Sequence, residues 1–296
     1  MEKQKLIVIL GPTASGKTAL SIALAKKFGG EIISADSRQV YRGLNIGSGK
    51  ITKQEMRGIP HHLLDVASPK RKFTVAQYQK LAQTAIKKIQ AKGKIPFLVG
   101  GTGFYIQSVV DGLVIPEVKP NWKLRRKLEK KTTDQLFSML KKLDPMRAKS
   151  IDPKNPRRLI RAIEINLGTG KPVPKLPFRS FFSEGGSVLQ ISIKRSPEEL
   201  KKSIQKRLQK RIGGIISEVR KLHRQGLSFK RLEEFGLEYR FVAQYLQSKI
   251  TYQQMLNGIQ KESEQFARRQ MTWFKRDKRI HWVKNKKEAE KLIKKF

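Results

Sequence analysis

An α/β fold, a parallel sheet flanked by helices, is what the first 112 residues predict, and three observations carry it. Strand-like and helix-like segments alternate, as in parallel sheets with crossover helices. The first strand candidate breaks directly into a glycine-bounded loop and then into an alanine-rich helical run. A later strand candidate repeats that arrangement, with Gly100-Gly101-Thr102-Gly103 before its helix.

Taken in order, Lys5–Leu10 is a short aliphatic and β-branched strand. Gly11-Pro12-Thr13-Ala14-Ser15-Gly16-Lys17-Thr18 follows, and Lys17–Lys27 is the helix. Strand, Gly-x-x-x-x-Gly-Lys-Thr and helix in that order are the context of a phosphate cradle. The sheet is therefore expected to be P-loop NTPase-like. Glycines let the backbone wrap phosphate oxygens, and loop N–H groups with the positive helix end face the anion. Lys17 adds a point charge, and the Thr18 hydroxyl can sit on Mg²⁺. Such a cradle reads phosphates and ignores what hangs from them.

Glu31–Ser34 is the second strand, and Asp36 falls just past it. Ligands of open α/β sheets bind at the carboxyl ends of strands. Asp36 there could hold Mg²⁺, take a substrate proton, or cap a turn. The helix Thr74–Ala91 carries Val75, Tyr78, Leu81, Ala82, Ala85, Ile86 and Ile89 at spacings of three and four, a one-sided apolar stripe. Ile95–Val99 is the third strand and Phe104–Val110 its helix. No acidic residue ends that strand, which weakens a nucleotide-hydrolase reading.

Pro116 and Pro120 interrupt the alternation. Charged helices follow at Trp122–Lys131, Thr133–Leu143 and Pro156–Leu167, then an irregular extended loop over 168–177. Ser187–Lys194 is expected to rejoin the sheet, followed by helices Pro197–Gln225, Leu237–Ser248 and Gly258–Arg276, a strand Ile280–Val283, and a polar helix from Lys286. The expected organisation is a core over 1–112, a helical insertion over 113–183, and a helix-rich return to the core over 184–296. Loop-dense stretches near 43–60 and 168–186 are candidates for mobile segments over the site.

Composition narrows the partners. Lys plus Arg number 64 against 24 Asp plus Glu, a net charge of +40. That exceeds what solubility needs and favours a polyanion, unless it reflects a lysine-rich proteome alone. Residues 1–112 carry a net +12 and the remaining 184 a net +28, so the basic surface extends well beyond the cradle. Cysteine is absent, excluding disulfides and thiolate metal sites. No apolar run approaches the ~18 residues of a membrane span, and the first strand leaves no room for a signal peptide. A cytoplasmic monomer with no membrane partner is expected.

Arg157-Arg158-Leu159-Ile160-Arg161 opens a helix with basic groups on one side, suited to phosphate-backbone contact. Phe266, Gln270, Trp273 and Phe274 share a helical face, read as core, with Arg268 and Arg269 on another. His61 and His62 are adjacent, point apart and lack spaced partners, so they read as structural rather than metal-binding.

With these residues in view, the chain resembles the tRNA dimethylallyltransferases (tRNA isopentenyltransferases) over nearly its whole length. The motifs are the cradle Gly11–Thr18, Asp36-Ser37-Arg38-Gln39-Val40-Tyr41-Arg42, Gly58–Asp65, Val99–Tyr105, Arg158–Glu164 with Thr169-Gly170-Lys171, and Ala267–Trp273. The resemblance implies transfer of a dimethylallyl group from its diphosphate to N6 of the adenosine 3′-adjacent to the anticodon, in tRNAs reading codons that begin with U. It implies that Asp36 takes the N6 proton, and that Lys17, Thr18 and Mg²⁺ steady the leaving diphosphate. It further implies Arg207 as a diphosphate-holding arginine and Thr102 as part of the catalytic site. Asp36, Ser37, Arg38, Gln39, Thr102, Arg125, Arg157, Arg158, Leu159, Ile160 and Arg161 would meet the tRNA. Departures from the family pattern lie at Ile46–Lys50, around Gly213–Glu218, and at Gly236-Leu237-Glu238-Tyr239. Rival readings are prenylation of free AMP, ADP or ATP, a small-molecule P-loop kinase, and a non-catalytic RNA-binding protein.

Overall fold

The computed structural model describes residues 4–113, 116, 118, 120–172 and 186–296. In chain order the elements are β1 (Lys5–Leu10), α1 (Lys17–Lys27), β2 (Gly30–Ala35), α2 (Lys53–Met56), β3 (His61–His62), α3 (Val75–Gln90), β4 (Ile95–Gly100), α4 (Gly103–Val110), α5 (Trp122–Leu128), α6 (Thr133–Leu143), α7 (Pro145–Ala148), α8 (Pro156–Thr169), β5 (Ser187–Ile193), α9 (Pro197–Arg224), α10 (Phe229–Glu234), α11 (Leu237–Leu246), α12 (Tyr252–Phe274), β6 (Ile280–Val283) and α13 (Lys286–Lys295). They divide into two compact units, Met1–Gly112 with Ser180–Phe296, and Leu113–Arg179. From residue 173 on, the loop expected over 168–177, the insertion's expected end at 183 and most of the 168–186 stretch lie outside the described residues.

The first unit is built on a six-stranded parallel sheet of order β3-β2-β4-β1-β5-β6. Its inner strands are mostly apolar because helices cover both faces, with Glu31, Ser34, Gln190 and Ser192 as buried polar exceptions. Leu6, Val8, Leu10, Ile33 and Leu98 enter one core; Ile7, Ile9, Ile32, Phe97 and Ile191 enter the other. The register aligns strand ends: Leu10 and Ala35 both pair with Gly100, and Leu10 also pairs with Ser192. Everything that leaves β1, β2 and β4 at the carboxyl end therefore starts from one row. Gly100 makes the row possible, since a Cβ there would lie 2.1 Å from the Ala35 carbonyl oxygen.

β3 and the short helices α2, α7 and α10 stand where the sequence predicted no element, and α12 starts earlier than expected. β3 is only His61 and His62, paired with Ile32 and Ile33; two histidines carry no strand pattern, and the pairing is imposed by the chain reaching β2. α12 begins at Tyr252, behind a Thr251/Gln254 capping box, not at Gly258. Gly258 sits inside the helix because a Cβ would meet the Phe241 ring at 2.3 Å. It marks close packing against α11, not a helix start.

The second unit packs α5 to α8 around Leu128, Leu136, Leu140, Leu159, Ile160 and Ile163. Asn121, Thr132, Asp144 and Asn155 cap its helices by accepting backbone N–H bonds. A buried carboxylate, Glu164, gathers Arg125 (2.6 Å), Arg161 (2.5 Å) and the Asn121 N–H (2.7 Å). Burial alone would raise its pKa; the two arginines and the Asn121 N–H outweigh that and hold it low.

Candidate active site

β1 ends in the cradle. Gly16 caps α1 at φ +90°, a left-handed conformation suited to glycine, and has no side chain of its own to cap the first-turn N–H groups. Those donors and the positive helix end are left for an anion. Lys17 Nζ donates to the Pro12 carbonyl at 2.9 Å. Burial pulls its pKa to about 8, with Asp36 opposing the shift and Arg207 adding to it. A cation so lowered gains most when an anion arrives.

β2 ends in Asp36. Its Oδ1 accepts from the Arg38 N–H (2.8 Å) and the Gln39 N–H (3.2 Å), so Asp36 does shape the turn that follows. Both bonds fall on one oxygen, which leaves Oδ2 as the natural proton acceptor. β4 ends in Gly101 and Thr102. The Thr102 N–H donates to Ala35 at 3.1 Å, and its Oγ1 accepts from the Ser37 N–H at 3.0 Å. The second and third strand ends are thereby tied across Asp36.

One cavity joins these parts. Thr13, Lys17, Thr18, Asp36, Gln39 and Arg207 all line it. Arg207 reaches it from α9 and lies 4.0 Å from Glu238. Gln39 Nε2 donates to the Gly49 carbonyl at 3.2 Å. Arg38 donates through Nε to the Phe235 carbonyl at 2.7 Å, which fixes its stem while the guanidinium lies near the Phe266 ring. Gly11, Pro12 and Ser15 are buried in the loop itself; Ala14 takes φ +60°.

The remaining expected RNA contacts belong to the second unit. Arg157 and Arg158 are exposed at the start of α8, whereas Arg125 and Arg161 are engaged by Glu164. Leu159 and Ile160 are core residues, 0% and 7% exposed, so their side chains do not present to a ligand. Helical periodicity explains this: in an amphipathic helix the arginine face excludes the positions between.

Three functional features escaped the sequence reading. Gln270, read as part of an apolar face, is buried and bridges the site: its Oε1 accepts from the Thr13 N–H and its Nε2 donates to the Gly101 carbonyl, both at 2.8 Å. It links the cradle to the Thr102 turn. Phe266, on the same face, lines the cavity, whereas Phe274 is core. Glu218, also buried, accepts from the N–H groups of Asn45, Ile46 and Gly47 and from the Tyr239 hydroxyl, holding the 45–48 loop beside the cavity. The only hint in the sequence was that these polar residues sit inside otherwise apolar helix faces. The histidines are structural in their bonds: His61 Nδ1 pairs with the Ile59 carbonyl and His62 Nε2 with Glu31, although His61 also borders the cavity.

A parallel sheet carrying a glycine cradle, an acid on the next strand end and no acidic strand end at β4 fits a P-loop α/β transferase better than a nucleotide hydrolase. The comparisons name it further. The IPP transferase family model matches residues 39–277, and the chain belongs to that family. A tRNA dimethylallyltransferase of Carboxydothermus hydrogenoformans is 41% identical over 306 residues, covering 99% of this chain and 96% of its own length. One from Anoxybacillus flavithermus is 40% identical, covering 94% and 90%. The crystal structure of a tRNA isopentenylpyrophosphate transferase from Bacillus halodurans superposes with a TM-score of 0.70 at 36% identity, covering 95% of this chain and 90% of that one. A eukaryotic dimethylallyltransferase acting on tRNA reaches 0.78 at 28% identity, covering 92% and 70%.

Proposed function

We propose that this chain transfers the dimethylallyl group of dimethylallyl diphosphate to tRNA, at N6 of the adenosine 3′-adjacent to the anticodon. The observation that carries the reading is the aligned row of strand ends, which brings cradle, Asp36 and the Gly100-Gly101 end of β4 around one cavity with Arg207, Thr102 standing just behind it. The N6 lone pair attacks C1 of the allyl group, and the C1–O bond breaks. Its electron pair leaves with the diphosphate, and the N6 proton passes to Asp36 Oδ2. Lys17, Arg207 and the open N–H groups of the loop meet the charge that develops on the leaving group. Thr102 keeps the Ser37 backbone, and hence Asp36, in place. The target base must leave its stack to enter the cavity.

The donors present fit Mg²⁺. Thr18 and Asp36 bring hard oxygens to the same cavity. Among the described residues no group of three or more His, Asp or Glu side chains forms a metal cage. Mg²⁺ typically takes one or two protein oxygens plus substrate phosphates and waters. Held by Thr18, it would neutralise diphosphate charge.

Prenylation of a free adenine nucleotide is not favoured, because the relatives are named for tRNA and because a mononucleotide needs no exposed arginines such as Arg157 and Arg158. We propose that the enzyme acts as a monomer in the cytoplasm, in keeping with its tRNA-modifying relatives. Incubation with labelled dimethylallyl diphosphate, Mg²⁺ and either tRNA or AMP tests the assignment. Label is expected in tRNA alone; label in AMP alone, or in neither acceptor, overturns it.

A further inference from the structure

Arg211 follows Arg207 by one turn of α9, so both side chains project from one face. Both approach Gly49 of the loop bordering the cavity: a Cβ there would lie 3.2 Å from Arg211 Nη1, 3.4 Å from its Nη2, and 3.6 Å from Arg207 Nη1. Thr13 of the cradle, Arg207, Arg211 and Glu238 share a small enclosed pocket. Nη2 of Arg211 is buried and has no hydrogen-bond partner among the described residues. Burial and then the Arg207 charge lower its pKa, against the pull of Glu238. A structural arginine in such a place would be partnered, because an unpaired charged donor in the interior is costly. A planar fork of donors suits phosphate oxygens in particular.

We propose that Arg211 is a second guanidinium for the phosphate end of the substrate, acting beside Arg207, with Glu238 as the counter-ion of the arginine pair until the anion arrives. The proposal rests on the diphosphate reading of the cradle. It gives two of the departures from the family pattern a common place: Glu238 comes from the 236–239 segment, and Glu218, at the end of the altered 213–218 stretch, orders the loop that Gly49 follows. The diphosphate supplies the acceptor that Nη2 lacks, and removing the arginine takes away both a ligand contact and an unsatisfied buried donor.

Binding of inorganic pyrophosphate with Mg²⁺, followed by calorimetry on the full chain, tests this with Arg211→Met, Arg211→Lys and Glu238→Gln beside wild type. Arg211→Met is expected to weaken pyrophosphate by about tenfold or more, the loss of a charge-assisted bond. Arg211→Lys should lie between, and Glu238→Gln should tighten binding. The ligand-free Arg211→Met protein should melt no lower than wild type, since a buried donor without an acceptor is replaced by a well-sized apolar chain. Weaker binding without lost stability is the signature of a ligand-directed residue. Wild-type affinity in Arg211→Met, or a lower melting temperature with unchanged affinity, overturns the proposal. If the Met variant does not fold, unchanged affinity in Arg211→Lys overturns it instead. Failure of wild type to bind pyrophosphate brings down the cradle reading, and this one with it; a loss seen only in the Arg211 variants leaves the cradle standing and supports the second guanidinium.

Discussion

The two units carry charge of the same sign and use it in opposite ways. In the first, Lys17, Arg207 and Arg211 crowd one region with little compensation, and burial lowers the pKa of Lys17 and Arg211. In the second, Arg125 and Arg161 are already engaged by the one carboxylate of Glu164, and Arg157 and Arg158 stand in solvent. Those two occupy the first turn of α8, the positive end of a helix with no acidic residue there. Cations at that end are disfavoured by the helix dipole. The difference teaches that the first unit is strained toward a small, dense anion, while the second offers loose cations to an extended one.

The sharpest way to break that division is at Asp36. Asp36→Asn keeps the turn-forming oxygen and removes the base. It should lower kcat by about 10²–10⁴-fold, the usual worth of a positioned general base. Filter binding of tRNA should be almost unchanged. Lost tRNA affinity with a surviving rate would make Asp36 a recognition residue.

Within the second unit, Glu164→Ala separates fold from function. Two arginines and the Asn121 N–H lose their acceptor. The cost should be about 2–3 kcal/mol, below the ~3–5 of a fully buried broken pair because both arginines are partly exposed. Hydrogen exchange should locate the loss in 121–169, with pyrophosphate binding intact; uniform destabilisation of the sheet contradicts two separate units. Arg157→Ala and Arg158→Ala should leave stability alone and each reduce the salt slope of tRNA binding by about one. An unchanged slope makes them ordinary solvated side chains.

The sheet was legible because apolar runs, glycine turns and helical stripes agree with one another along the core. β1, α1, α6 and β6 fall where the sequence places them. Asp36 and Thr102 were legible because they lie just past strand ends, and Lys17 and Thr18 because they close a glycine-bounded loop at the start of a helix. What stayed hidden depends on tertiary approach. Gln270 and Glu218 are separated from the backbone groups they hold by well over 150 residues, so no local spacing reveals them. Arg211 looks like any basic residue of α9 until Gly49 and Arg207 are seen against it. Leu159 and Ile160 erred in the other direction: a motif was carried over whole, and the helix turned two of its members inward.

The smallest effect tests the strain itself. Burial lowers the Lys17 pKa to about 8 in the folded chain, from about 10.5 for an unperturbed lysine. Below pH 8 both folded and unfolded chains hold this proton, and the charged, buried ammonium costs stability. Between about 8 and 10.5 the unfolded chain holds more of the proton, so from this group alone stability rises with pH. Pyrophosphate reverses the preference, because it binds the charged form. Its affinity should therefore fall as pH rises through 8, by at most about tenfold per unit for one proton. Pyrophosphate itself also titrates, so the measurement is the difference between wild type and Lys17→Arg, whose guanidinium keeps its charge. Parallel affinity profiles for the two would mean that Lys17 is not held in a lowered state, and that the first unit waits for its anion no more tensely than the second.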